Sequence, residues 1–268
     1  MNDRVSVDIR DGVADVRLIR TDKMNALDNA MFAALVETGE RLKTEKGVRA
    51  VVLSGEGRAF CAGLDMGNFQ QMASGSGRRS TETLVTAKRT PGGANHAQQA
   101  CMVWREIPVP VIAAVHGVAF GGGFQLMLGA DMRFVTADVK LAVLEIKWGL
   151  IPDMAGMALM RGLVRDDVVR ELTYTGRIFG GEEAVAMGLA TRVCADPRAE
   201  ALALAREIAG KNPDAIRAGK RLLNLMTDGD QAALLLAESK EQTALIGSPN
   251  QVEAVMSNLQ KREAAYAD

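Results

Sequence analysis

His116-Gly117-Val118-Ala119-Phe120-Gly121-Gly122-Gly123-Phe124-Gln125 is the most informative segment of this chain. It follows Val111 to Val115, an apolar run set up by Pro108 and Pro110 and read as a buried strand. His116-Gly117 closes that strand, and a helix starts within the three glycines and runs through Phe124 to Leu128. An earlier segment has the same construction. Val48 to Leu53 is a short apolar run, Ser54-Gly55-Glu56-Gly57 is a turn, and Arg58-Ala59-Phe60-Cys61-Ala62-Gly63-Leu64-Asp65 follows. Small residues at a strand exit let backbone come close to a ligand. Two such exits side by side can aim two backbone N–H groups at one point, which is what holding a developing oxyanion requires. A helix starting in the glycine run adds its positive N-terminal dipole to the same point.

Outward from these segments the chain alternates strands and helices. Val5, Val7 and Ile9, the turn Asp11-Gly12, and Ala14, Val16 and Leu18 read as a β-hairpin. Asp28 is a plausible N-cap for a helix with Phe32, Leu35, Val36 and Leu42 on one face. A second helix spans Asn95 to Glu106, and short strands are expected near Arg133–Thr136 and Lys140–Val143. The Gly/Ser-rich, basic segment from Ala73 to Arg79 reads as a loop, and Met72 to Thr90 as the wall of a ligand pocket. After Gly149 to Asp153 the pattern is helical to the end, apart from a strand-like Thr191 to Cys194. The expected division is an α/β core over residues 1–195 and a helical region over 196–268.

Composition narrows the function classes. The 268 residues are 48% hydrophobic and 24% charged, with a net charge of -1, so no global basic field points to nucleic acid. The local basic pairs Arg78-Arg79 and Lys220-Arg221 can still meet a phosphate. Cys61, Cys101 and Cys194 are odd in number and widely spaced, which argues against disulfides and zinc and for a reducing, cytoplasmic compartment. No apolar run of about 20 residues is present, so no membrane span is expected. There is no G-x-G-x-x-G after a strand, no P-loop and no G-x-S-x-G elbow. His96 and His116 read as structural residues.

At the two glycine-bearing exits, and in four further blocks, the chain resembles the crotonase (enoyl-CoA hydratase/isomerase) family. Lys23-Met24-Asn25-Ala26-Leu27 matches its early CoA-contact motif, Phe60 to Asp65 its first oxyanion segment, and His116-Gly117 with Gly121-Gly122-Gly123 its second. Glu145-Ile146-Lys147-Trp148-Gly149-Leu150-Ile151-Pro152-Asp153 matches its catalytic-carboxylate segment. Leu172 to Arg177 and Ala184 to Ala190 match its later helical block. Order and spacing agree from about residue 5 to residue 195, and the tail agrees more loosely.

The resemblance implies an α/β fold, a spiral of ββα units with a C-terminal helical trimerisation region, and a homotrimer or homohexamer. It implies an acyl-CoA thioester as substrate and no cofactor, CoA being part of the substrate. The backbone N–H groups of Leu64 and Gly122 would form the oxyanion hole, and backbone at Met24, Ala26, Ala62 and Asp65 would line the CoA site. Lys220 would meet a CoA phosphate, in its own or a neighbouring subunit, or else be a solvated lysine. Glu145 is the matched base, its pKa raised by the apolar run Leu141 to Leu144 before it; the other reading is a surface or salt-bridged glutamate.

Where the family's hydratases hold water between two glutamates, this chain has Gln125, which can orient water but cannot take its proton. Asp153 offers a second acid, as in the family's dienoyl-CoA isomerases, or else caps a helix over Met154 to Leu163. Three readings follow: an enoyl-CoA hydratase, as the family's commonest activity; an enoyl- or dienoyl-CoA isomerase using Glu145 and Asp153; and a non-catalytic acyl-CoA-binding homologue.

Overall fold

A computed structural model describes residues 3–68, 85, 87–228 and 230–268, so the segment 73–79 and most of the pocket wall expected over 72–90 lie outside the described residues. Among the described residues the strands β1 (Val5–Arg10), β2 (Val13–Leu18), β3 (Ala50–Gly55), β4 (Val111–Val115), β6 (Met132–Val135) and β8 (Arg192–Val193) form one sheet in the order β1-β2-β3-β4-β6-β8. Only β1 and β2 pair antiparallel, as the expected hairpin; every later pairing is parallel. Parallel strands are covered on both faces, and β3 and β4 are buried along their whole length.

The two faces separate by the pleat. Val16, Leu18, Val51, Leu53, Val111, Ala113 and Val115 join one core, with Met31, Leu35 and Leu42 of α1 (Asn29–Thr44) and Val103 and Trp104 of α2 (His96–Glu106). Val13, Ala50, Val52, Ile112, Ala114 and Phe134 join the other, with Ala201, Ala205 and Ala209 of α7 (Pro197–Ala209). The division expected at residue 195 is therefore not where the packing divides. α7 is the second cover of the main sheet, and its alanines are there because a closely packed face needs small side chains.

Beyond the main sheet the chain builds a second, shorter layer. β5 (Val118–Phe120) runs parallel to β7 (Lys140–Ala142), and isolated bridges extend the layer at Leu27–Leu64, Cys61–Ala119 and Leu141–Phe179. Each unit gives one strand to the first layer, a short extended stretch to the second, and then a helix. β4, β5 and α3 (Gly122–Leu128) make one such unit, which is the spiral of ββα units implied by the resemblance. α1 is capped by Asp28, which accepts from the Met31 N–H at 2.8 Å, and α2 by a capping box of Asn95 with Gln98.

Short helices α4 (Gly156–Met160), α5 (Asp166–Thr175) and α6 (Gly181–Ala186) follow. After α7 come α8 (Pro213–Asp228), α9 (Gln231–Leu245) and α10 (Pro249–Gln260). Among the described residues no helix is long and apolar enough to cross a membrane.

Lys220 on α8 is not at a phosphate site and is not solvated. It is 5% exposed and donates to the Val109 carbonyl at 2.9 Å and pairs with Asp131 at 2.8 Å. Asp131 also accepts from the Val111 N–H at 2.7 Å, so this lysine latches α8 to the start of β4. Burial lowers its pKa and Asp131 opposes that. Removing one partner of such a pair strands the other charge, at a cost of about 3 kcal/mol or more. Lys220→Met is expected to lower the thermal midpoint by roughly 6–12 °C, on the usual scaling for a chain of this size, and to leave CoA affinity unchanged by calorimetry. A phosphate-contacting lysine would give the reverse pattern.

Candidate functional site

One open cleft of about 1740 Å³ lies where the two layers meet. Of the residues expected to form a site, Met24, Ala26, Ala62, Leu64, Asp65, Gly122, Gln125, Glu145 and Asp153 all line it, and Lys220 does not.

The wall begins where β2 leaves the sheet. Met24 and Asn25 both have left-handed backbone, φ 49° and 56°. Asn25 is fully buried and donates its side-chain amide to the carbonyls of Glu56 and Ala59 at 3.0 and 2.9 Å. This straps residues 24–27 along 59–65. The Ala62 N–H donates to the Met24 carbonyl, Leu27 to Gly63, and Asp65 to Leu27, at 2.9, 2.8 and 3.1 Å. In that ladder the N–H of Leu64, between two bonded neighbours, takes no acceptor among the described residues.

Gly63, at φ 90°, is where this loop touches the next one: a Cβ there would lie 2.5 Å from the Phe120 carbonyl oxygen and 3.7 Å from the Gly122 nitrogen. The Gly121 N–H is committed to the Ala142 carbonyl at 3.0 Å, whereas that of Gly122, first in α3, is left over like that of Leu64. Two uncommitted donors thus meet at one wall of the cleft.

Glu145 stands beside them. It opens a short 3-10 turn, Glu145–Trp148, and a Cβ on Gly121 would lie 3.2 Å from its Oε1. Gln125, on α3 and 1% exposed, donates from Nε2 to Glu145 Oε1 at 2.6 Å. The Gln125 carbonyl oxygen accepts from the N–H groups of Met154 and Gly156 at 2.9 and 2.8 Å. Glu145 Oε2 is buried and has no hydrogen-bond partner among the described residues. Burial raises the Glu145 pKa above its ordinary value; backbone donors and the Gln125 amide oppose this, and the charge of Asp153 adds to it.

Asp153 is not a helix cap. Ala155 is left-handed at φ 71°, α4 starts only at Gly156, and it has no side-chain cap. The expected helix over 154–163 is confined to Gly156–Met160, because a left-handed residue cannot lie inside a right-handed helix. Asp153 stands at the exposed rim, and partial shielding by the cleft walls raises its carboxyl too. Neither Asp153 nor Glu145 is salt-bridged among the described residues.

Arg20 is a site residue the sequence reading missed. Its Nη1 donates to the Ala26 carbonyl at 3.0 Å and to Asp65 at 2.7 Å, clasping the two strands of the wall. The Gly67 N–H, at 2.8 Å, and then Arg20 hold the Asp65 carboxyl below its usual range. Its signal was an arginine two residues after a buried strand end, Leu18, and just before the Lys23–Leu27 block. His116 bonds the Gly57 carbonyl at 2.9 Å, and His96 lies on the cleft wall against Phe32. Among the described residues no three His, Cys, Asp or Glu side chains converge as metal ligands.

The profile of the family described as "Enoyl-CoA hydratase/isomerase" matches residues 8–268. The mitochondrial Delta(3,5)-Delta(2,4)-dienoyl-CoA isomerase of Mus musculus is 31% identical over 225 residues, 82% of this chain and 67% of that protein. The human mitochondrial "Enoyl-CoA hydratase domain-containing protein 2" is 29% identical over 95% of this chain and 85% of its own length. The crystal structure of an enoyl-CoA hydratase from Bacillus anthracis superposes with a TM-score of 0.87 at 27% identity, covering 98% of both chains.

The raised Glu145 pKa has a consequence for stability. A carboxyl whose pKa is higher in the folded than in the unfolded state stabilises the fold fully below its ordinary pKa, and that contribution is lost as pH rises through the folded value. Glu145→Gln removes the charge and keeps an acceptor for the Gln125 amide. Its thermal midpoint is expected to equal that of the wild type near pH 4 and to exceed it by a few degrees at pH 7. A variant less stable than wild type at pH 7 would contradict the reading of Glu145 as a half-buried base whose charge is only partly offset.

Proposed function

The chain belongs to the enoyl-CoA hydratase/isomerase family, and from that premise we propose that it isomerises unsaturated acyl-CoA thioesters, moving a proton between two carbons with Glu145 and Asp153. The carrying observation is a cleft in which two carboxyls, both raised by loss of solvent, have unequal partners: Glu145 receives the Gln125 amide, and Asp153 receives no side-chain donor among the described residues. Like charges in one site do not both ionise readily. Glu145 packs on Gly121 at the oxyanion wall and Asp153 stands at the rim, so Glu145 is assigned the base and Asp153 the proton donor.

The thioester carbonyl sits at the N–H groups of Leu64 and Gly122, with the CoA arm along residues 24–26 and 62–65. Glu145, which packs on Gly121, takes the α-proton. The electron pair moves into the conjugated system and onto the thioester oxygen, where each oxyanion donor is worth about 3 kcal/mol. Asp153 then gives its proton to the far end of that system and becomes charged, while Glu145 holds the proton it removed. Substrate and product have the same composition, and the exposed position of Asp153 lets the pair exchange protons with solvent before the next turnover. This chemistry calls for no group beyond the CoA thioester.

Hydration is the second reading, favoured by the unpartnered Glu145 Oε2, which can accept a proton from water, and by the relatives named as hydratases. Assembly as a homotrimer or homohexamer fits the exposed apolar residues of the tail, among them Leu223, Met226, Leu236 and Leu259. A cytoplasmic site of action is supported by three free cysteines, although the mouse and human relatives are mitochondrial by name.

The test is turnover of 3,5-dienoyl-CoA and trans-2-enoyl-CoA thioesters, followed by the absorbance of the conjugated thioester and by product mass. The expected product from the dienoyl substrate has unchanged mass and its double bonds brought into conjugation with the carbonyl. Glu145→Gln and Asp153→Asn are each expected to lower kcat by about 10²–10⁴, with KM little altered. A product heavier by one water, insensitive to Asp153→Asn, would replace this reading with hydration. Binding without turnover of either substrate would leave an acyl-CoA-binding protein.

A further inference from the structure

The orientation of the Gln125 amide is dictated by its surroundings. Its oxygen meets two backbone N–H groups, those of Met154 and Gly156, which occupy both lone pairs. Turning the amide over would set its NH₂ against two donors and leave them unpaired in a buried position. The nitrogen therefore faces Glu145 Oε1 at 2.6 Å. The fit is close: a Cβ on residue 156 would lie 2.7 Å from the Gln125 oxygen, so Gly156 is part of the same device.

We propose that Gln125 is a positioning residue that selects proton transfer over water addition, by fixing Glu145 through one hydrogen bond and withholding the second acceptor that an attacking water needs. The inference rests on the isomerase reading above.

Water that adds to a double bond gives one proton to a base and directs its other hydrogen to a second acceptor. Glu145 Oε1 already accepts the amide, and among the described residues Oε2 is the oxygen without a partner. Gln125 turns a donor toward Glu145, and its own acceptor is saturated. A nearby water finds acceptors on Glu145 alone and none on Gln125. The same amide ties Glu145 to the turn 154–156, which directly follows Asp153, so it also fixes the spacing of the two carboxyls. It further supports the ionised form of Glu145, the form that accepts a carbon-bound proton.

The test compares Gln125→Met, which keeps the length and removes the donor, with Gln125→Glu, which can keep both backbone bonds. Isomerisation and hydration are measured across pH for each. In Gln125→Met the acid limb of kcat/KM for isomerisation is expected to move up by about one pH unit, because Glu145 loses a donor to its charged form. Its kcat should fall about tenfold with KM unchanged. In Gln125→Glu the limb should move up at least as far, and the ratio of hydration to isomerisation should rise about tenfold or more.

An unmoved limb in Gln125→Met, or an unchanged ratio in Gln125→Glu, would overturn the proposal. Should Gln125→Met not fold, Gly156→Ala displaces the amide from outside and is expected to move the limb the same way. Failure of the isomerase reading is visible separately, as wild-type protein that moves no double bond or as full isomerisation in Glu145→Gln. If Glu145→Gln and Asp153→Asn are inactive while the Gln125 variants keep the wild-type limb and ratio, the function stands and the role of Gln125 does not.

Discussion

The cleft depends on one backbone contact, between Gly63 and the Phe120 carbonyl. β3 and β4 are neighbouring parallel strands, so their exits emerge side by side at the same edge of the sheet. Two N–H groups can converge there only if the exits approach to backbone contact. Gly63 meets that constraint twice over: its φ of 90° lies in the left-handed region, and any Cβ would stand 2.5 Å from the Phe120 oxygen. A side chain at residue 63 would push the exits apart and separate Leu64 from Gly122, whatever else the fold retained. The second layer follows from the same contact, since Cys61 bridges Ala119 and β5 then pairs with β7, which leads into the turn carrying Glu145.

Gln125 then joins three parts of the chain that are far apart in sequence. Its backbone belongs to α3, its amide nitrogen is bound to Glu145 after β7, and its oxygen holds the turn before α4. None of these elements positions a carboxyl by itself. Glu145 lies in a single short turn and Asp153 on a connection without regular structure. A buried amide with three bonds specified in direction supplies the rigidity that the short elements lack.

Much of this was legible from residue order. The apolar runs around 48–53 and 111–115, the cap Asp28 and the glycine exits act locally, and the structure has them where the sequence places them. What escaped depends on distant partners. Val118-Ala119-Phe120, between two glycines, reads as part of a loop, yet it is a strand because Lys140 to Ala142 lies beside it. Lys220 reads as a surface lysine of an amphipathic helix and is buried because Asp131 is waiting for it. Pro152-Asp153 before a helical pattern has the composition of an N-cap, and one residue, Ala155 in a left-handed conformation, prevents it. Arg20 carries no motif; its role exists only once Ala26 and Asp65 are brought together.

The left-handed residues explain why the site is held this way. Among the described residues, non-glycine positive φ occurs at Asp11, Met24, Asn25, Ala155 and Lys261, and Met24, Asn25 and Ala155 all belong to the cleft or its supports. Such a conformation costs an alanine about 1 kcal/mol or more. At Ala155 it has an identifiable effect. It turns the chain so that the N–H groups on either side, of Met154 and Gly156, point at one oxygen instead of at successive helical acceptors. That convergence fixes which end of the Gln125 amide faces Glu145. The local strain is offset by two buried hydrogen bonds and directs a donor, 29 residues earlier in the chain than Met154, at the carboxylate that carries the chemistry.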